Sequence, residues 1–199
     1  MLKSFTLVEM LVVIVTLGIL STIMLLSSIE AVSSADASNI INNMQQIKMA
    51  AYAWYKDNLS RIIQDKNSGY VIRTKGKYQV FSEFIRAHKA EILQYIDNTS
   101  SIKLYSKNEA VESIDNIGDY MLTAMENTKK WYICCYLGDT SEIISKYGSG
   151  APELRIKKKV AGRAKTLQLS GLADKNNDSM TAEVYSDQIF VCMLILQLP

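Results

Sequence analysis

The sequence predicts an α+β chain in which a long N-terminal helix, membrane-spanning in its first half, packs on a small antiparallel β-sheet head. Three observations carry that expectation. Met10 to Leu26 is seventeen residues without a charge. Ile40, Met44, Ile47, Ala51 and Trp54 then step by 4, 3, 4 and 3, the spacing of one helical stripe. Trp131 to Leu137 and Glu183 to Leu196 are rich in aromatic and β-branched residues, as strands are.

Composition bounds the function. A chain of 199 residues and 22.3 kDa suits one domain plus an appendage. With 48% apolar and 21% charged residues it is a folded chain, not a disordered one. A net charge of +2 argues against a whole-molecule polyanion binder and leaves only local basic patches. The single histidine, His88, argues against multi-histidine metal sites and most histidine-based catalysis. There is no P-loop, Gly-x-Ser-x-Gly elbow or His-Glu-x-x-His, so the chain reads as a non-enzyme.

The first element is the apolar run. A helix from Phe5 to Ser28 is about 36 Å long, enough to cross a hydrocarbon core of about 30 Å. Lys3 and the terminal amine are the positive charges before it, and Glu30 and Asp36 follow it. The positive-inside rule then puts the N-terminus in the cytoplasm and the body outside. A cleaved signal peptide shares this layout, with Ala35-Asp36-Ala37 as its cut. Such signals have a shorter apolar core, about 7–15 residues, and no use for an acid inside it.

That acid is Glu9. A carboxylate costs about 2.5–3.5 kcal/mol at a bilayer centre, and less near the interface. It calls for a cation, yet no Lys, Arg or His lies within two helical turns after it. Cutting the chain just before Phe5 exposes an α-amine one turn away, and a neighbouring subunit offers the same group. The alternative is an interfacial carboxylate that reaches water.

Met1-Leu2-Lys3-Ser4, then Phe5-Thr6-Leu7-Val8-Glu9 and a long apolar run, resembles the N-terminus of type IV pilins and of type II secretion pseudopilins. The resemblance implies a prepilin peptidase cut between Ser4 and Phe5, N-methylation of Phe5, and pairing of Glu9 with the Phe5 amine of an adjacent subunit. Ser4 stands where the family usually has glycine, and no proline follows the apolar run, so no kink is expected there. The implied layout is a leader over 1–4, a transmembrane and assembly helix over 5–28, an amphipathic second half over 29–57 and a globular head over 58–199. The implied function is a structural subunit, major or minor, of a type IV pilus-like filament. It would be a single-pass precursor in the cytoplasmic membrane, then part of an extracellular filament on the bacterial surface. Its partners would be other pilins and the pilus assembly machinery. A pseudopilin of a secretion or DNA-uptake system is the neighbouring alternative. A bitopic membrane protein with an outer binding domain is the alternative of another class.

The remaining elements follow in order. No Pro or Gly interrupts Ser21 to Asn58, so Phe5 to Tyr55 reads as one helix of 51 residues, about 76 Å. Asn39, Asn42, Asn43, Gln46 and Asp57 lie opposite the apolar stripe. Ser27 to Ser38, rich in Ser and Ala, is its weakest part and is expected as a hinge or partly unwound link. Tyr70 to Thr74 and Lys77 to Val80 resemble a hairpin around Lys75-Gly76. Ser82 to Ile96 reads as a helix capped by Ser82. Its one face carries Phe84, Ile85, His88, Ile92, Tyr95 and Ile96. Ile102 to Tyr105 is strand-like, Asp119 to Met125 a helical turn, Thr140 to Tyr147 a short helix. Thr166 to Leu169 and Glu183 to Leu196 are expected to complete the sheet.

Three constellations are candidate sites. Cys134, Cys135 and Cys192 lie on predicted strands, and neighbours on a strand point to opposite faces. Only one of the first two can therefore face Cys192: Cys135 with Cys192, or Cys134 with Cys192. Three buried thiols are the alternative. The pilin resemblance favours a disulfide tying a late segment to the sheet. Asp174, Asn176 and Asp178 match the first three oxygen positions of a calcium loop. Ser179 and Tyr185 then stand where Gly and Glu are wanted, which favours a polar turn. No other cofactor is indicated. Arg155, Lys157, Lys158, Lys159, Arg163 and Lys165 form a basic run without an acid. It suits DNA phosphates, an acidic face of a neighbouring subunit, or water. Charge runs are most often solvated faces, so water is favoured over nucleic acid.

Overall fold

The computed structural model describes residues 6–59, 88–96, 102–106, 113–125, 130–172, 180–181 and 188–197. Helix α1, Leu7–Asp57, is unbroken for 51 residues. The strands are β1 (Leu104–Ser106), β2 (Tyr120–Met125) and β3 (Lys130–Tyr136). Helices α2 (Thr140–Tyr147) and α3 (Pro152–Leu167) follow, then β4 (Ser170–Leu172), β5 (Met180–Thr181) and β6 (Phe190–Gln197). The sheet order is β1-β2-β3-β6-β4-β5. All neighbours are antiparallel except β1 and β2, which run parallel.

The sheet packs its one face on the second half of α1. Ile40, Met44, Ile47, Ala51 and Trp54 are all buried, as the stripe requires, and they meet Trp131, Ile133, Cys135, Val191, Met193 and Ile195 in one core. Trp54 is the anchor. It lies edge-on to Trp131 with ring centroids 6.4 Å apart, and its indole N–H donates to Glu91 Oε2 at 3.0 Å. The opposite sheet face builds a smaller cluster from Met121, Tyr132, Cys134, Tyr136, Phe190 and Cys192.

The structure corrects three expectations. The segment from Asp119 to Met125 is a strand, not a helical turn. Tyr120, Met121, Leu122 and Thr123 are all buried between β1 and β3, so no polar alternation marks it as a strand. Thr166 and Leu167 end helix α3, which stops at Gln168 in a left-handed cap (φ 53°), and the strand begins only at Ser170. The basic run is helical. Ser27 to Ser38 is no hinge. Ser28, Ser33 and Ser38 return their hydroxyls to the carbonyls of Met24, Ile29 and Ser34, and Ser33 and Ala37 are buried where α3 packs on α1. The small residues let two helix backbones approach. Residues 88–93 are helical with Ile92 and Ile96 buried, whereas the 70–80 hairpin and the start of the Ser82 helix lie outside the described residues.

The α2 boundaries match the sequence reading. Asp139 Oδ1 accepts from the backbone N–H of Ser141 and Glu142, the Asp N-cap pattern. Gly138 precedes it at φ +80°, where an added Cβ would lie 2.8 Å from Ile143 Cδ1. Only glycine fits that turn.

Candidate functional site

The candidate site is the first half of α1, with the clasp that ends it. Every large aliphatic side chain from Leu7 to Leu26 is at least 46% exposed. The first buried residue on α1 is Ser33. An uncovered apolar surface of this extent is not that of a water-soluble monomer. Its most apolar 18-residue window has mean hydropathy 2.5, and the helix is long and apolar enough to cross a membrane.

Both threonines in this stretch satisfy their hydroxyls within the helix. Thr16 donates to Val12 O and Val13 O, and Thr22 to Gly18 O, each at 2.9 Å. Such back-bonding removes the unmet donors that hydrocarbon penalises. Glu9 has a partner that sequence reasoning missed. Thr6 is the N-cap of α1, and its backbone N–H and hydroxyl donate to Glu9 Oε2 at 2.8 and 2.9 Å. The Glu9 backbone N–H donates in return to Thr6 Oγ1 at 3.3 Å. This is a capping box, legible in the spacing Thr-x-x-Glu. Ser4 and Phe5 lie outside the described residues.

The end of the exposed run is set by α3. Arg155 Nη1 lies 3.5 Å from Glu30 Oε1 and Lys159 Nζ 3.0 Å from Glu30 Oε2. Arg163 donates to Ser38 Oγ at 2.8 Å. Lys157 is buried and donates to Gly138 O at 2.8 Å and Thr140 Oγ1 at 2.9 Å. Of the six bases, only Lys158 and Lys165 are exposed. The expected anion patch is therefore mostly a set of intrachain tethers. The acid that the run lacks is supplied by α1, more than a hundred residues earlier.

Lys157→Ala should lower unfolding free energy by about 1–3 kcal/mol, because it strands buried acceptors. Lys157→Met restores the volume without the donors, so its residual loss in a denaturant titration measures the hydrogen bonds alone. Glu30 should set an acid-side dependence. The hydrogen bond from Lys159, then its charge, holds the Glu30 carboxyl below its ordinary range, with Arg155 and Lys158 adding to the effect. A carboxyl lowered in the fold stabilises fully above its unfolded pKa, about 4.5, and loses that contribution as pH falls through the folded value. Glu30→Gln should remove that part of the acid limb and leave stability above it flat with pH. An unchanged acid limb would show that the clasp contributes nothing.

The disulfide joins Cys134 to Cys192, not Cys135 to Cys192. In the β3–β6 register Cys134 sits opposite Cys192 and Cys135 opposite Val191. Cys135 therefore faces α1, fully buried, and burial pushes its thiol well up. A thiol so held is inert. Asp174, Asn176 and Asp178 lie outside the described residues, among which no His/Cys/Asp/Glu cluster has metal-ligand geometry. Between α1 and α2 runs a cleft of about 730 Å³ bordered by Asp36, Asp115, Asp139, Glu142 and Glu153.

Sheet, head and bare helix together make this an α+β protein with one exposed N-terminal helix able to span a membrane. Comparison with protein-family models, characterised proteins and solved structures returns no match to this chain.

Proposed function

We propose that this chain is a structural subunit of a type IV pilus-like filament, held in the cytoplasmic membrane as a precursor with its N-terminus inside and its head outside. One observation carries the proposal. A single 51-residue helix is bare and apolar in its first half and buried under a head in its second. The same apolar surface can be covered by lipid before assembly and by neighbouring helices afterwards, so transfer between the two costs far less than release into water. The Phe5-Thr6-Leu7-Val8-Glu9 start and the leader-like residues before it favour pilin-type processing over a plain anchor. Prepilin peptidase would cut between Ser4 and Phe5 and methylate the new amine. Other pilins and an external motor would be the partners.

Mass spectrometry of the mature protein tests this. The expected N-terminus is methylated Phe5. A chain that retains Met1 in its membrane-resident, mature form points to a bitopic anchor instead, and one that starts after Ala37 to a signal peptide.

A further inference from the structure

Three contacts fix how α3 lies on α1: Arg155 and Lys159 on Glu30, and Arg163 on Ser38. Arg155 to Arg163 and Glu30 to Ser38 are both eight residues apart. The two helices therefore run side by side, in the same direction and in step. Carried back one turn, Pro152 at the start of α3 falls level with Ser27, where the exposed aliphatic run of α1 has just ended. The turn joining α2 to α3 lies there too, closed by the Ala151 N–H on Gly148 O at 3.3 Å. Among the described residues, the α2–α3 corner is thus the part of the head nearest the apolar half of α1.

The charge at that corner is lopsided. Lys146 to Lys159 contains five bases and one acid, Glu153. Lys157 is turned inward, but Lys146 and Lys158 are exposed. Arg155 and Lys159 keep 31% and 28% of their side chains exposed, and they share the one Glu30 carboxylate, so positive charge is left over. The acids beyond it are Glu142, one turn back along α2, and Asp36, six residues further along α1, which border the cleft beside Lys146 together with Asp115 and Asp139. Tyr147 (57% exposed) and Ile144 (44%) flank Lys146 on α2, and Lys146 Nζ lies 5.0 Å from the centroid of the Tyr147 ring. Exposed tyrosine next to lysine is the pairing that bilayer interfaces favour.

We infer that the α2–α3 corner is a docking surface for the headgroups of an anionic lipid bilayer, with Lys146, Arg155, Lys158 and Lys159 meeting the phosphates and Tyr147 lying at the interface. The inference rests on α1 spanning that bilayer. Docking holds the head down on the membrane before assembly, and extraction of α1 breaks it.

The test uses the full chain with Ser149→Cys carrying an environment-sensitive dye; Cys135 is buried and does not compete for label. The protein is reconstituted in vesicles of phosphatidylcholine alone or mixed with phosphatidylglycerol, each with a headgroup-attached quencher. The expected result is stronger quenching on the anionic vesicles, weakened by added salt. Charge reversal at Lys146→Glu and Lys158→Glu should each lower the docked fraction about fivefold on anionic vesicles. Equal quenching on neutral and anionic lipid, or indifference to both reversals, overturns the docking surface. Flotation separates this from the spanning reading. A chain that floats with the vesicles but ignores lipid charge sinks the docking alone, and a chain that does not float sinks both.

Discussion

Cys134→Ala or Cys192→Ala is expected to lower the unfolding free energy by about 4 kcal/mol, the chain-entropy value for a crosslink closing a loop of this size. The two cysteines are 58 residues apart in sequence and directly opposed on β3 and β6, so the bond spans α2, α3, β4 and β5. A loss of that size is a large share of the roughly 5–15 kcal/mol that holds a typical domain together. The double variant should lose little more than either single one, because one bond is broken in all three cases. Cys135→Ala is the control. It removes one buried sulfur from the α1-facing core and should cost about 1 kcal/mol, the order expected for a small cavity. Denaturant titrations of the four variants, with and without reductant, measure all of this. Equal losses at positions 134 and 135, or a wild-type curve indifferent to reductant, would remove the disulfide from the stability of the head.

Glu9→Ala is expected to leave membrane insertion intact and to cut incorporation into filaments at least tenfold. Insertion should improve slightly, since a carboxylate in an apolar helix costs up to about 3 kcal/mol. Assembly should fail because the subunit loses the charge proposed to align it with a neighbour's Phe5 amine. Ala has a second effect, because it also removes the acceptor for the Thr6 N–H and hydroxyl. Glu9→Gln separates the two roles. Its amide oxygen can still accept from Thr6, but it carries no charge. Thr6→Ala is the reciprocal variant, which removes a cap worth about 1 kcal/mol and keeps the carboxylate. The charge-pair proposal requires Gln to fail as Ala does and Thr6→Ala to assemble. If Gln assembles normally and Thr6→Ala does not, Glu9 serves the helix start and not the filament.

The long helix and its division of labour are legible in the sequence. Absence of charge over Met10 to Leu26 and the 4-3-4-3 stripe are one-dimensional signals with one-dimensional causes: what surrounds the helix differs between its halves. The Gly138-Asp139 stop and the α2 boundaries are legible for the same reason, since a turn glycine and an N-cap act within a few residues. Segment 119–125 is not, because Tyr120 to Thr123 are buried on both faces and have no alternation to display. Neither is α3. Its basic run resembles a solvated face, yet Lys157 points into the protein and Arg155, Lys159 and Arg163 reach α1. The capping box around Glu9 is written in the spacing from Thr6, although the charge of Glu9 directs attention to a more distant cation.

Residue order alone therefore establishes a membrane-length apolar helix, an amphipathic continuation and a strand-rich head. It also reduces the disulfide to two candidate pairs. It took the folded chain to select the cysteine that faces Cys192, to show that the Ser/Ala segment is a close-packing seam and not a hinge, and to show that most of the basic run is spent on contacts within the chain. One cause underlies all three. Periodicity and capping are local and are written along the chain, whereas strand register and the pairing of Glu30 with bases 125 and 129 positions later exist only once distant segments have met.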